Sequence, residues 1–240
     1  MTSGRIASLH RWPVKSMGGE DVDALRLDGR GAAGDRTHAV HELRRGSWRT
    51  LTAREAPRLL AWSATYEGAD PAPEDPPTAL VTAPDGTRRT WGDPDLDGAL
   101  GADLGRTVAC RRDVAGQQDL ADSLLVTTAA THAALEAEVG HPLDLRRWRT
   151  NLHLELDAEA FAEERWEGLE LHVGEARLLL LHPCERCVIP TRDPDTQVKD
   201  GELLRHLARH HDVRFGINAR ALGPARIAVG DPVSLVRPGA

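Results

Sequence analysis

The stretch 178–196, LLLLHPCERCVIPTRDPDT, decides how the second half of the chain folds, because a predicted strand leads directly into two thiols. Four consecutive leucines favour a buried strand. The Pro- and Asp-rich segment that follows predicts a loop, since it cannot continue the strand. Cys184 and Cys187 therefore lie where a strand passes into a loop, three positions apart.

Two interpretations of the cysteine pair use both thiols. Cys184 and Cys187 could bind zinc together with His206 and His210, although the 18 residues between the two pairs exceed the usual spacing of about 12–15. A thioredoxin-type dithiol would need its first thiol at a helix N-terminus, where the helix dipole lowers the thiol pKa. The residues that follow the pair, Val-Ile-Pro-Thr at 188–191, do not favour the start of a helix.

Two further interpretations need no pairing of the thiols. Free cysteines pack as small hydrophobes, so the pair can be purely structural. Alternatively, one thiolate binds a redox metal that is carried by an organic cofactor, since soft sulfur ligands suit such metals. Arg186, directly before Cys187, would then help to keep that thiolate ionised. Residues outside the pair decide between these alternatives.

The rest of the chain predicts an α+β fold that is mainly β. Short apolar runs alternate with Gly- and Pro-rich turns, without the regular strand–helix alternation of a doubly wound sheet. The predicted strands are 5–10, 21–27, 37–42, 79–83, 87–91, 152–156, 169–173, 176–181, 226–229 and 233–236, the last two closing a sheet around the turn 230–232. The predicted helices are 53–62, 95–104, 202–211 and one capped by Thr127 or Thr128 that ends before Gly140. We expect two β-rich domains, over 1–113 and 114–240.

The composition is that of a globular protein. Of the 240 residues, 40% are hydrophobic and 28% are charged, and the formal net charge is −7. No apolar run approaches the roughly 20 residues that cross a bilayer, and the N-terminus lacks the apolar segment of a secretory signal. Three cysteines make a poor disulfide framework, so we expect a cytoplasmic protein with no membrane partner. A negative net charge without clusters of basic residues argues against nucleic acid as a partner.

Several segments carry groups that bind anions. Lysine occurs only twice among 30 basic residues, and one of the two, Lys15, precedes Ser16. A point charge beside a hydroxyl suits a phosphate or a carboxylate, and Arg36 adds a guanidinium after a turn glycine. The helix N-terminus predicted at Thr127 and Thr128 offers free N–H groups. The remaining members of this set, whose groups can contact a heterocycle, are Arg147, Trp148, Arg149 and Asn151.

In this order, seven segments resemble the MOSC family, the molybdenum cofactor sulfurase C-terminal domain proteins. The matching blocks run from residue 12 to residue 233 and are WPVKS (12–16), GDR (34–36), WRTN (148–151), CERC (184–187), DPDT (193–196), FG (215–216) and VGDPV (229–233). Within the family, the chain looks most like the amidoxime-reducing components and their bacterial relatives. Those proteins pair an N-terminal β-barrel domain with the MOSC β-barrel domain, which agrees with the division expected near residue 114.

The resemblance implies a molybdenum cofactor, Mo-molybdopterin, held between the two domains. By this match the second cysteine of the CERC block, Cys187, is the catalytic residue and the thiolate ligand of molybdenum, with Arg186 beside it. Lys15, Ser16 and Arg36 are expected to bind the pterin and its phosphate. The remaining polar edge of the cofactor is assigned to Thr127, Thr128, Arg149 and Asn151.

The activity implied by the resemblance is the reduction of N-hydroxylated and other N-oxygenated small molecules by oxygen-atom transfer. The alternative is a non-catalytic carrier or sulfur-transfer module that binds the cofactor and passes it on. Three cysteines cannot hold an iron–sulfur cluster, which needs about four. We expect neither that cluster nor FAD or pyridoxal phosphate. Electrons would then come from a separate donor protein of the ferredoxin or flavoprotein type.

Overall fold

The structure, a computed structural model, describes residues 2–68, 71–72, 75–112 and 124–238. Within these ranges it is mainly β with three α-helices, which confirms the predicted fold class. The described strands are β1 (Ser3–Arg11), β2 (Glu20–Val22), β3 (Ala24–Asp28), β4 (Gly31–Ala32), β5 (His38–Arg44), β6 (Ser47–Thr50), β7 (Ser63–Thr65), β8 (Leu80–Thr82), β9 (Arg88–Thr90), β10 (Val108–Arg112), β11 (Leu124–Thr128), β12 (Leu152–Leu156), β13 (Glu170–Val173), β14 (Ala176–Glu185), β15 (Arg214–Ala221), β16 (Ala225–Ala228) and β17 (Pro232–Val236). The helices are α1 (Leu96–Leu104), α2 (Ala129–Val139) and α3 (Gly201–His210), with 3-10 turns at Pro57–Ala61, Leu145–Trp148, Ala162–Arg165 and Ile189–Thr191.

Seven of the described strands close into a barrel in the order β12-β11-β15-β14-β13-β17-β1, with β1 pairing back onto β12. β11 and β12 run parallel, whereas β1 is antiparallel to both of its barrel neighbours. β1 has an irregularity between Ile6 and Ser8 where it pairs with β12, and such bulges increase the local bend and twist of a strand. The first strand of the chain thus lies in the same barrel as strands from the second half.

Alternate apolar side chains fill the barrel. In β12, Leu152 and Leu154 are fully buried while Glu155 is exposed. This is the period of two that a strand with one buried face requires. Leu178 and Leu180 of β14 repeat the pattern and belong to the same core cluster. The leucine-rich run that precedes the cysteines is therefore anchored in the barrel core.

We expect Leu154→Ala to lower the free energy of unfolding by about 2–5 kcal/mol, because it leaves a cavity in a core that a closed barrel cannot easily collapse. Leu222→Ala is the matched control, since Leu222 is 45% exposed, and a surface substitution changes stability by less than about 0.5 kcal/mol. Urea denaturation followed by tryptophan fluorescence measures both variants. Equal losses of stability in the two variants would contradict the burial of Leu154 inside the barrel.

A second core lies between residues 14 and 108. Two three-stranded sheets, β10-β5-β6 and β7-β8-β9, surround it together with α1. Val14 and Met17, which follow β1 closely, are fully buried in this second core. The segment 12–18 therefore passes from the barrel into the second core, and its position is fixed from both sides.

A third cluster packs α2 against α3. Leu135 of α2 meets Leu203 and Leu207 of α3. Trp148 and Phe215 complete this cluster, with stacked rings whose centroids lie 3.9 Å apart. This apolar cluster packs the two helices against each other, although they are far apart in sequence.

Two local predictions from the sequence are wrong. The helix predicted over 53–62 is only a 3-10 turn, Pro57–Ala61, because Pro57 has no N–H with which to continue a helix through it. The last two predicted strands do not pair with each other around 230–232. Instead β16 pairs with β3, and β17 pairs with β13 and β1. The domain boundary predicted at 113/114 lies outside the described residues and stays a prediction.

Candidate functional site

A cavity of about 940 Å³ opens beside the loop that carries the two cysteines. Its size is at the upper end of the roughly 300–1,000 Å³ that is typical of small-molecule and cofactor sites. The charged residues that line it are Arg36, Arg54, Arg149, Arg186, Arg214, Glu164, Glu167 and Glu185. An excess of guanidinium groups at one cavity, in a chain whose net charge is −7, indicates a ligand with anionic groups.

A smaller cavity of about 210 Å³ adjoins the large one. The two share Arg54, Arg149, Cys187 and Ile189. The other lining residues of the smaller cavity are Lys15, Ser16, Thr52 and Ala53, so none of its described lining residues is acidic. Cys187 therefore lies at the junction between a purely cationic cavity and a larger one of mixed charge.

The Cys187 thiol is free and half-buried, two residues beyond the end of β14. The loop after it is held by the 3-10 turn Ile189–Thr191, in which the Thr191 hydroxyl donates a 2.6 Å hydrogen bond to the carbonyl of Val188. This turn packs against α3. Cys187 is therefore a free thiol on a braced loop at a cationic cavity, and sulfur is a ligand that soft metals accept.

The hydrogen bonds of Arg186 are made with Cys184 and Trp148. Its guanidinium lies 3.1 Å from Sγ of Cys184 and donates a 2.6 Å hydrogen bond to the carbonyl of Trp148. Arg186 therefore lies with Cys184, although its sequence neighbour is Cys187.

Arg149 lines both cavities and is 7% exposed. Its guanidinium donates to the carbonyls of Met17 and Val14, and it lies over the ring of Trp12 at 4.5 Å from the centroid. The backbone of Arg149 has φ 54°, in the left-handed region, at the end of the 3-10 turn Leu145–Trp148. Arg149 thus joins the second half of the chain to the segment 12–18.

Lys15 and Ser16 reach the smaller cavity because their backbone is fixed on both sides. The Lys15 N–H donates a 2.9 Å hydrogen bond to the carbonyl of His38. Ser16 has φ 69° and is buried, and its hydroxyl accepts a 3.0 Å hydrogen bond from the N–H of Ala53. A hydroxyl that accepts one hydrogen bond can still donate its own proton, which suits an anionic ligand oxygen.

Arg36 borders the large cavity beside a buried carboxylate. Its guanidinium donates to Asp35, and a second nitrogen lies 3.4 Å from the carbonyl of Arg149. Asp35 has no exposed surface and accepts a 2.7 Å hydrogen bond from the N–H of Trp12. Complete burial raises the pKa of Asp35, while the Arg36 guanidinium, the Trp12 N–H and Arg149 act in the opposite direction. Asp35 therefore orients Arg36, one of the arginines that line the cavity.

Three predicted site residues are not brought to either cavity. The Thr127 hydroxyl bonds with Thr150 and His153 at 3.1 and 2.9 Å. Thr128 caps α2, and its oxygen accepts the N–H of Thr131. Asn151 is fully buried, accepts the N–H of Leu125 and donates to the carbonyl of His10. These hydrogen bonds are made within the barrel and at the start of α2, so the geometry gives no support for contact of the three residues with a cofactor.

Three basic residues that line the large cavity are missing from the sequence prediction. Arg54 comes from the segment before the 3-10 turn Pro57–Ala61, and no motif marks it. Arg214 directly precedes the Phe-Gly block, and His182 lies two residues before Cys184, so both could have been found as neighbours of matched blocks. His182 also lies 3.4 Å from the side-chain amide of Asn218, another lining residue.

His38 lies beneath the segment 12–16 and has no exposed surface. Its Nδ1 is 2.9 Å from the Thr37 hydroxyl and 3.3 Å from the carbonyl of Pro13. Burial lowers the pKa of His38 from 6.5 to about 4. The folded protein therefore holds this imidazole neutral at a pH where the unfolded chain protonates it.

This difference predicts a loss of stability in acid. The contribution of neutral His38 to the free energy of unfolding is present above pH 6.5. It is lost as the pH falls through the window between 6.5 and about 4, because there the unfolded state binds a proton that the folded state does not. We expect His38→Gln to reduce the fall in unfolding free energy between about pH 7 and about pH 5 by about 2 kcal/mol. Urea titrations at both pH values measure this change in unfolding free energy. A change as large as that of the wild type would contradict the prediction.

The zinc arrangement of Cys184, Cys187, His206 and His210 is not assembled. Among the described residues, one group of three or more possible ligands converges, and it consists of Glu138, His206 and His211. Neither cysteine belongs to it. The cysteines face the arginine-lined cavity instead.

Fold and site together define a mainly β protein in which a barrel and a second β-rich core enclose a cationic, thiol-bearing cavity. Two family models that match the sequence identify this class of protein. The model of the MOSC N-terminal beta barrel domain matches residues 3–92, and the model of the MOSC domain matches residues 112–234, just over half of the chain. The chain belongs to the MOSC domain family, which confirms the resemblance drawn from its motifs.

Individual relatives are distant. The chain is 31% identical to mitochondrial amidoxime reducing component 2 of Macaca fascicularis over 77 residues, 32% of this chain and 22% of that protein. It is 28% identical to mitochondrial amidoxime-reducing component 1 of Homo sapiens over 125 residues, 47% of this chain and 36% of that protein. The matches thus span between about a fifth and about a third of these relatives' lengths.

A solved structure supports the fold over the whole chain. The crystal structure of the YuaD protein from Bacillus subtilis superposes with a TM-score of 0.54 at 16% identity, covering 98% of this chain and 96% of that one. Such a likeness concerns the fold. None of the helices in the described part of the chain has the length and apolarity needed to cross a membrane.

Proposed function

We propose that the protein binds a molybdenum cofactor of the molybdopterin type, with Cys187 as the thiolate ligand of the metal. The observation that carries this proposal is the position of Cys187, which borders both the cationic smaller cavity and the larger cavity of mixed charge. A cofactor with an anionic end and a metal end needs cationic side chains around one end and a metal ligand at the other. Membership of the MOSC domain family supports the same assignment.

The residues present fit such a group. Sulfur is the ligand that a metal already bound by dithiolene sulfur accepts readily. Lys15, Ser16 and the Arg54 and Arg149 guanidiniums would hold the phosphate, because charge-assisted hydrogen bonds to phosphate oxygens are strong. Arg186 Nε is buried without a hydrogen-bond partner among the described residues. A buried donor without a partner is costly, and this donor belongs to a residue that lines the cavity.

We further propose that the protein is an oxidoreductase that reduces N-hydroxylated and related N-oxygenated compounds. When bound, the cofactor supplies two-electron oxygen-atom-transfer chemistry, which side chains alone do not provide. Similarity to the amidoxime-reducing components supports this reaction class. A separate electron-donor protein would supply the electrons.

The chain's own carboxylates suit this substrate class. Glu164, Glu167 and Glu185 line the large cavity, whereas the smaller cavity has no acidic residue among its described lining. Reduction of an amidoxime gives an amidine, which is a cation at neutral pH. Carboxylates near the mouth would hold that cation through charge-assisted hydrogen bonds, while the arginines remain beside the anionic cofactor.

The test is to purify the chain from a host that makes the cofactor and to measure bound molybdenum, zinc and oxidised pterin. We expect molybdenum and pterin in equal amounts, and formation of an amidine when a chemical reductant and an amidoxime are added. Molybdenum without turnover would contradict the reductase and favour a cofactor carrier. Zinc without pterin would contradict the cofactor itself.

A further inference from the structure

Two histidines and a glutamate converge where the ends of α2 and α3 meet, away from the cysteines. We propose that Glu138, His206 and His211 form a binding site for one divalent transition metal ion of the Zn²⁺ class. The proposal is independent of the cofactor proposed above, because it uses none of the residues that line the two cavities.

The three side chains point their ligand atoms at one place. Nε2 of His206 and Nε2 of His211 lie 2.8 and 2.7 Å from the same oxygen, Oε2 of Glu138. The ligand atoms of all three residues lie within 4.8 Å of one another. Two imidazole nitrogens and one carboxylate oxygen are the donor set of many zinc sites that keep a fourth position for water.

The fold holds these ligands in place without a metal. Glu138 lies in the last turn of α2, which Gly140 ends with φ 81°. His211 follows α3 directly, and its N–H donates a 2.9 Å hydrogen bond to the carbonyl of Leu207. The ring of His211 is stacked on Phe161, with centroids 4.1 Å apart and an angle of 18°. Because the rings are already oriented, less ordering entropy is lost when a metal binds.

At the two histidine–glutamate pairs, a cation between the three residues requires only a small movement. Two bonds of about 2.0–2.1 Å at a tetrahedral angle separate the ligand atoms by roughly 3.3 Å, compared with the 2.7 and 2.8 Å of the hydrogen bonds. The Glu138 side chain is 35% exposed and can retreat by that amount, whereas the His211 side chain is 11% exposed and stays packed. The exposed side of Glu138 also gives the ion access from solvent.

A metal here would connect two helices that are far apart in sequence. α2 follows strand β11 of the barrel, and α3 packs against the 3-10 turn Ile189–Thr191, which follows Cys187. The apolar cluster of Leu135, Leu203 and Leu207 joins the same two helices from the buried side. The bound ion would act as a second connection between them at the surface.

The experiment titrates the full chain, freed of loosely bound divalent ions with a chelator, with Zn²⁺ in a calorimeter. We expect one equivalent to bind. Glu138→Gln and His211→Ala should weaken binding by about 100-fold or more, because loss of even a supporting partner of a metal ligand costs about 10–100-fold. His210→Ala is the matched control: its ring lies 4.6 Å from that of His206 on the same helix, but His210 is outside the converging group.

Two further readouts separate a lost site from a damaged fold. Zn²⁺ should raise the Tm of the wild type and of His210→Ala but not of Glu138→Gln, since a ligand stabilises only the state that binds it. Co²⁺ in the same site should give visible absorption without the near-ultraviolet charge-transfer band of a cysteine ligand. The proposal is overturned if no equivalent binds, if both ligand variants keep wild-type affinity, or if the Co²⁺ spectrum shows sulfur ligation.

Discussion

Cys187→Ser is expected to lower the rate of amidoxime reduction per bound molybdenum by at least about 100-fold, the upper end of what loss of a mere supporting partner costs. The hydroxyl has nearly the volume of the thiol, so the half-buried loop keeps its packing. The loss would arise because a neutral oxygen replaces a soft thiolate at the metal. Amidine formation with a chemical reductant measures it without the native electron donor.

Cys184→Ser is the control for that experiment. Cys184 lines the same cavity and is three residues away, but its sulfur is paired with the Arg186 guanidinium at 3.1 Å. A serine oxygen can accept the same hydrogen bond, so most of the activity should remain. Equal losses of activity in the two variants would contradict a single thiolate ligand. A larger loss in Cys184→Ser would indicate that Cys184, and not Cys187, binds the metal.

Arg149→Met is expected to lower the molybdenum and pterin content of the purified protein by at least about tenfold, since one charge-assisted hydrogen bond contributes about 1.5–3 kcal/mol. Arg149 borders both cavities and also holds the segment 12–18 through the carbonyls of Val14 and Met17. Arg149→Lys should restore only part of the content, because an ammonium cannot reproduce the planar fork that lies over Trp12.

The matched control removes another buried guanidinium that lies over an aromatic ring. Arg11 is 2% exposed, pairs with Glu20 and lies 4.8 Å from the centroid of Tyr66, but it lines neither cavity. The double variant Arg11→Met/Glu20→Gln avoids leaving a buried charge unpaired. It should keep wild-type molybdenum content, and a parallel loss would mean that Arg149→Met acts through stability alone.

Features that depend on neighbouring residues were predictable from the sequence. Thr128 caps α2 and Gly140 ends it with φ 81°, as the residue types require. Strands were predicted at 79–83 and 87–91, and β8 and β9 pair there around the turn residues Pro84-Asp85-Gly86. Each of these features is fixed within a few residues, so the local pattern suffices.

Side-chain direction is the feature of the site that local sequence patterns do not define. The matched motif blocks bring Lys15, Ser16, Arg36, Arg149 and Cys187 to adjoining cavities. Asn151 belongs to a matched block and Thr127 lies at the predicted helix N-terminus, but their hydrogen bonds are made inside the barrel wall. Which face a residue occupies depends on sheet register, and the pairing of β11 with β12 and β15 is set by long-range contacts.

The contact of Arg186 with Cys184 could not be read from the sequence. The predicted strand ends at residue 181, and the pairing of β14 is irregular between Leu180 and Glu185, so no simple alternation in the sequence places Arg186 beside Cys184. Arg54 is a different case, because it reaches the cavities from the distant segment before Pro57–Ala61. No spacing in the sequence relates that segment to Cys187, so only the fold brings them together.

X-ray absorption at the molybdenum edge tests the central claim most directly, since it counts the sulfur atoms bound to the metal. The protein purified from a cofactor-producing host is compared with Cys187→Ser and Cys184→Ser. We expect one sulfur fewer at molybdenum in Cys187→Ser and no change in Cys184→Ser. An unchanged sulfur count in Cys187→Ser, or a protein that holds zinc and no pterin, would contradict the account.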